Sequence, residues 1–169
     1  MPVDRSVIGS SIGVRRVVIE RGPVAVFAEA VTDGARIYKD ARAAEDAGLL
    51  PPPVPPTFPF VMAHWGAFEE LQPDGDDRSA LVGEILGPLL AKGGLLLHGE
   101  QEFEYFSAVR VGDTLFGETT LADVYEKTSP DHTMTFVVTE TLWTNEATGA
   151  PALVARSNTI VRNRNEAPT

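Results

Sequence analysis

From Leu95 onward the sequence settles into four strand-like runs, and this half of the chain most narrowly limits the fold. Leu96–Phe106, Thr114–Tyr125, Met134–Asn145 and Ala152–Asn163 are rich in valine, threonine, leucine and aromatic residues. Those side chains fit a pleated, half-buried surface. Turn signals stand between the runs: Val111-Gly112-Asp113, Ser129-Pro130-Asp131 and Ala147-Thr148-Gly149. The even spacing predicts an antiparallel meander. Helical patterns precede the strands, so the order predicts an α+β domain.

The N-terminal half is punctuated by glycine and proline. Val14–Glu20 reads as a short strand or as the lead into a helix. Pro23 suits the first turn of a helix. Val24, Phe27, Ala28 and Val31 follow at i, i+3, i+4 and i+7, one apolar helical face. Ala41–Ala47 is rich in helix formers and closes at Gly48, a C-cap signal. Leu49–Pro59 holds six prolines and must be an ordered loop, because Val54, Phe58 and Phe60 are costly to leave in water. Phe60–Leu71 has the composition of a buried helix; Gly66 within it predicts close approach of another backbone. Gln72–Ser79 is a polar break, and Leu81–Leu90 predicts a further short helix cut at Gly87-Pro88.

The length of 169 residues suits one domain, residues 1–169. A domain of this size buries roughly 70% of its unfolded surface and needs no staple. The absence of cysteine excludes disulfides and thiolate metal sites. The first residues lack a basic start and an apolar run, no apolar stretch approaches ~18 residues, and a cytoplasmic protein is expected. A net charge of −10, from 24 acidic and 14 basic residues, argues against a nucleic-acid binder. It leaves room for an acidic carrier, which a few local cations can dock.

Three stretches carry a family resemblance: Ala28–Tyr38 with Asp40 and Ala43-Ala44; Pro55-Pro56-Thr57-Phe58-Pro59; and His98–Tyr105 followed by Val109–Leu115. Together they resemble the N-terminal-domain type of the MaoC-like dehydratases and hydratases, over about residues 14–163. That family comprises (R)-specific enoyl-thioester hydratases and 3-hydroxyacyl-thioester dehydratases. The resemblance implies a single hot-dog domain, a long central helix wrapped by a curved antiparallel sheet. It implies no metal or redox cofactor; an acyl-CoA or acyl-carrier-protein thioester is the substrate. It also implies a dimer, either a homodimer or a heterodimer with a shorter MaoC protein.

MaoC-type hydratases carry an Asp and a His in a Gly-Asp-x-Asn-Pro-x-His pattern, and the pair activates a water and moves a proton at the α-carbon. This chain reads Thr32-Asp33-Gly34-Ala35-Arg36-Ile37-Tyr38. Asp33 matches the Asp, Tyr38 stands in the histidine position, and Ala35 and Arg36 replace Asn and Pro. A phenol with a pKa near ~10, against ~6.5 for imidazole, is a poor base at neutral pH. The blander reading makes Asp33 a turn-satisfying residue and Tyr38 packing. In the family, backbone N–H groups at a helix start polarise the thioester carbonyl, and Thr57 fills that place here; ordinary capping by Thr57 is the compatible alternative. Thr57, Phe58, Phe60 and Trp65 are the expected substrate-binding residues, with Phe68 and Tyr105 as further tunnel or core aromatics.

His64 is expected to be a satisfied core or interface histidine. His98 matches a position commonly His in the family, with no assigned role. No HxH or HxxxH pair occurs, so no metal site is expected. Glu102, Glu104, Glu118 and Glu140 are expected to face water from alternate strand positions. The resulting expectation is a catalytically impaired, acyl-chain-binding subunit of a dehydratase. An active homodimer with an altered dyad, a non-catalytic acyl-thioester-binding protein and, more weakly, a hot-dog thioesterase are the alternatives.

Overall fold

The computed structural model describes residues 5–73 and 80–165. Residues 74–79 of the expected polar break, together with 1–4 and 166–169, lie outside them. Five strands form one antiparallel sheet: β1 (Ser11–Val18), β2 (Leu95–Tyr105), β3 (Thr114–Thr128), β4 (His132–Asn145) and β5 (Pro151–Arg164). The lateral order is β1-β3-β4-β5-β2. The expected meander therefore holds for β3, β4 and β5 only. β2 crosses over to the far side of β5, pairing Leu96 with Val161 and Tyr105 with Leu153.

Helix α1 (Arg21–Ala30) carries Pro23 in its first turn and buries Val24, Phe27 and Ala28. Val31 falls just past its end and is exposed. Helix α2 (Ala41–Asp46) begins at Asp40, whose carboxylate accepts the Arg42 and Ala43 N–H groups. It ends as expected at Gly48, which has φ +69°. There the Leu49 N–H returns to the Ala44 carbonyl and the Gly48 N–H to Glu45, both at 2.8 Å.

The expected helix over Phe60–Leu71 is not continuous. It is broken into a 3₁₀ turn (Phe58–Phe60), the one-turn helix α3 (Met62–Trp65) and a second 3₁₀ turn (Glu69–Leu71). The break falls at Gly66, where an added Cβ would lie 2.2 Å from the Val18 carbonyl oxygen. The Val18 N–H donates to the Gly66 carbonyl at 2.9 Å. The expected close approach is therefore real, and it is a β1 edge contact rather than a helix crossing. The longest helix is α4 (Ala80–Ala91), which runs through Pro88 instead of stopping there. Val82, Ile85 and Leu86 of α4 pack against Ile12, Leu121, Val124 and Val137. The larger core cluster gathers Val17, Ile19, Val24, Phe27, Phe58, Met62, Leu115, Trp143 and Leu153 under the N-terminal helices.

Candidate active site

The turn after α1 sets the site. Its last carbonyls are closed by Thr32 N–H to Glu29 at 3.0 Å and Asp33 N–H to Ala28 at 2.9 Å. This closure puts Thr32 at φ +56°, a left-handed conformation that a β-branched residue rarely adopts. Asp33 follows, and its Oδ1 accepts the Ala35 N–H at 2.9 Å. The carboxylate thus satisfies its own turn, which is the blander of the two readings of Asp33. The 3₁₀ turn Arg36–Tyr38 comes next, and Arg36 pairs with Asp40, whose carboxyl is held below its ordinary pKa first by that guanidinium.

Tyr38 is delivered half-buried against the larger core cluster. Burial first, and the Asp33 charge second, push its phenol pKa above the ordinary value of 10.0. A phenol so placed is neutral at physiological pH, so it can donate a hydrogen bond and is a poor base. Tyr105, at the end of β2, donates its hydroxyl to the Pro56 carbonyl at 2.9 Å. Its pKa is also raised, by desolvation and then by Tyr38. The two phenols join all three of the resembling stretches at one place: the turn, the proline loop and the end of β2.

The proline loop is ordered by the chain just past β2. Val54 N–H donates to Val109 at 3.1 Å, Val111 N–H to Pro52 at 2.9 Å, and Arg110 Nη1 to Pro51 at 2.8 Å. Between loop and strand lies an open cavity of about 370 Å³, lined by Pro53, Val54, Pro56, Tyr105, Phe106 and Val109 among others. Its walls are mostly apolar, as a chain-binding pocket requires.

The other expected residues divide. Thr57 is exposed and its side chain caps nothing, contrary to the capping expectation. The Phe58 N–H is taken by Pro55 and the Phe60 N–H by Thr57, which leaves Thr57 N–H as the donor at this bend without an acceptor among the described residues. Phe58 is sealed in the core, its ring edge-on to Phe27 at 5.5 Å and tilted against Trp65 at 6.2 Å. Phe60 is half-exposed and lies edge-on to His98 at 5.2 Å. Trp65 and Phe68 are partly exposed, and His64 is exposed rather than in the core. The sequence reading passed over the Thr32 strain, for which the signal was a threonine where the family pattern has glycine.

Residues 6–153 match the family profile described as the FAS1-like dehydratase domain region. A UPF0336 protein of Thermobifida fusca is 28% identical over 89% of this chain and 86% of its own length. A UPF0336 protein of Streptomyces avermitilis is 31% identical over 73% of this chain and 75% of its own. Among solved structures, the HadBC (3R)-hydroxyacyl-ACP dehydratase complex of Mycobacterium tuberculosis aligns with TM-score 0.61 at 19% identity, covering 95% of this chain and 99% of that one. The ChsH1-ChsH2 complex of the same organism gives 0.69 at 16%, covering 94% and 88%. An (R)-hydratase from A. caviae gives 0.52 at 19%, covering 89% and 96%. The five-stranded sheet and its short helices are thus those of the MaoC-like and (R)-hydratase hot-dog proteins, and the chain belongs to the FAS1-like dehydratase-region family.

Proposed function

We propose that this chain is the acyl-chain-binding, catalytically impaired subunit of a (3R)-hydroxyacyl-thioester dehydratase or enoyl-thioester hydratase. It works in the cytoplasm as a dimer beside a shorter MaoC protein that brings an intact Asp-His pair. The observation that carries this reading is Tyr38, a half-buried phenol with a raised pKa where the family places its histidine. Removing a positioned acid–base group typically costs ~10²–10⁴-fold in rate. Asp33 remains, but its carboxylate is engaged with the Ala35 N–H. The apolar cavity beside Pro56 and Tyr105 is the proposed seat of the acyl chain; the partly exposed Phe60 and Trp65 are proposed to bind the substrate as well. Phe58 supports that wall from the core. Thr57 N–H is the proposed donor to the thioester carbonyl.

Two features support partnership with a second hot-dog chain. HadBC and ChsH1-ChsH2 are two-component complexes of similar fold. In addition, β2 is an edge strand that pairs with β5 alone among the described residues, and native proteins cover such edges. The test is crotonyl-thioester hydration. The purified chain alone is expected to show little or no turnover, and addition of a MaoC partner to restore it. Robust turnover by the isolated protein, abolished by Asp33→Ala, would reverse the assignment in favour of an active homodimer. The engaged Phe58 and Phe60 N–H groups favour a second reading, a binding protein without catalysis. Tight thioester binding with no turnover beside any MaoC partner would establish it.

A further inference from the structure

The helices leave part of their own face of the sheet uncovered. β4 is the middle strand, and its Val137 and Trp143 are buried in the two separate core clusters. Thr139 and Thr141 lie between them on the same face, by strand alternation, yet both are only half-buried. α4 packs on the Val137 side and the N-terminal helices on the Trp143 side. A groove therefore crosses the sheet between the clusters. On β5 its floor continues with Ser157, opposite Thr139, and with Thr159, opposite Val137. On β2 it reaches Gln101, opposite Ser157, and His98, opposite Thr159.

This floor is polar and largely unsatisfied. The hydroxyls of Thr139, Ser157 and Thr159 have no hydrogen-bond partner among the described residues, and none of the three is sealed from solvent. Gln101 gives its amide N–H to the Arg156 carbonyl at 2.9 Å, which leaves its Oε1 as an acceptor. Half-buried groups of this kind call for partners from outside the chain. The β4 and β5 floor residues carry no charge, so the groove suits a neutral ligand with amide or hydroxyl groups rather than an ion.

The groove is continuous with the proposed site. Pro56–Phe60 runs beside β2: Tyr105 holds Pro56 at one end, and Phe60 lies against His98 at the other. The apolar cavity is at the Tyr105 end. The hydroxyl floor is at the His98 end, because Thr159 is the cross-strand neighbour of His98. Thr57 stands between the two. A thioester whose carbonyl meets the Thr57 N–H therefore has an apolar wall to one side and a hydroxyl floor to the other.

We propose that this groove holds the pantetheine arm of the thioester, with Thr139, Ser157 and Thr159 bonding its amide groups. The inference rests on the thioester reading of the site. The arm is extended and neutral, carries amide and hydroxyl groups, and is shared by CoA and carrier-protein substrates.

The test is calorimetric titration of the full chain with two crotonyl thioesters, one of pantetheine and one of N-acetylcysteamine, which lacks most of the arm. Wild type is expected to bind the pantetheine thioester more tightly. The Thr139→Val/Thr159→Val variant is expected to shrink that preference at least about tenfold, since it removes two hydrogen-bonding groups. Valine suits a strand, and no protein hydrogen bond is lost. If the double variant does not fold, Ser157→Ala is read in the same way. Crotonyl-CoA and a crotonyl-loaded carrier protein are expected to weaken in parallel, and the one that wild type binds more tightly than the pantetheine thioester is the source of the arm. A folded variant that keeps the wild-type preference overturns the proposal and leaves the thioester reading intact. Wild type that binds neither thioester overturns both.

Discussion

At the scale of single residues, the proposed site departs from the Gly-Asp-x-Asn-Pro-x-His pattern, and the structure gives physical consequences to Thr32, Arg36 and Tyr38. The position before Asp33 lies at φ +56°, so glycine is the residue that fits it without strain, and Thr32 holds it instead. A non-glycine residue held in such a region costs of order ~1–3 kcal/mol. Thr32→Gly is accordingly expected to raise stability by about 1 kcal/mol, partly offset by the greater freedom of glycine in the unfolded chain. Urea denaturation reads the change; a loss of stability would mean that threonine contacts outweigh the strain. Tyr38→His is expected to leave hydration of crotonyl thioester at least ~10²-fold below family rates, because an imidazole set ~1 Å wrong loses that much. The turn that aims it carries Ala35 and Arg36, and Arg36 is tied to Asp40. Near-family rates from this single change would show the turn already correctly formed. Asp33 and Tyr38 were legible as a pair only through the resemblance to the Gly-Asp-x-Asn-Pro-x-His pattern. The raised phenol pKa was not, because it depends on burial against Phe58 and its neighbours, which lie far away in sequence.

At the scale of elements, what was legible is what local chemistry decides. The strand runs agree with the observed β2–β5 to within a few residues, and Gly48 ends α2 where a left-handed residue is needed. The misreadings have tertiary causes. Phe60–Leu71 is apolar enough for a helix, yet it is divided at Gly66 because β1 bonds to the backbone there. The placement of β2 outside β5 follows from the sheet closing over the core rather than from any turn signal. Pro88 fails to end α4 even though it removes one helix hydrogen bond, and only the expectation drawn from propensity put a stop there. Gly66→Ala tests the account of the break. Its methyl group would sit 2.2 Å from the Val18 oxygen, with backbone as the obstacle. Overpacking of this kind typically costs ~1–3 kcal/mol, so the variant's urea midpoint is expected to fall and the β1 edge to loosen. Hydrogen exchange at the Val18 amide should accelerate more than at Leu115 amides of the sheet interior; unchanged exchange and stability would refute the close-contact explanation.

At the scale of the whole molecule, the helical half is fastened to the sheet at a few points, and two of them can be titrated. Arg16 spans Glu146 at 2.8 Å and the Leu71 carbonyl at 2.9 Å, and Val54 bonds to Val109. A further fastening is the phenol pair: Tyr38 packs on the core beneath the turn, and Tyr105 holds the proline loop through Pro56. Both phenols have pKa values raised above 10.0 in the folded protein. The neutral, protonated form is thus favoured by folding, so the unfolded chain gives up these protons first as pH rises. The contribution of the pair is fully present below pH 10.0 and is lost as pH climbs through the raised folded values. Resistance to urea is therefore expected to decline above that pH, together with the ultraviolet signature of phenolate formation. Asp33 enters through its charge, which helps to raise Tyr38. Tyr105→Phe removes one of the two titrating groups and the bond to Pro56, so the variant is expected to be less stable at neutral pH yet to lose less of its stability in alkali. A variant that declines as steeply as wild type would place the alkaline sensitivity elsewhere. It would also remove the phenol pair as the joint between the proline loop and the sheet, and with it the structural reason for seating the acyl chain beside Pro56.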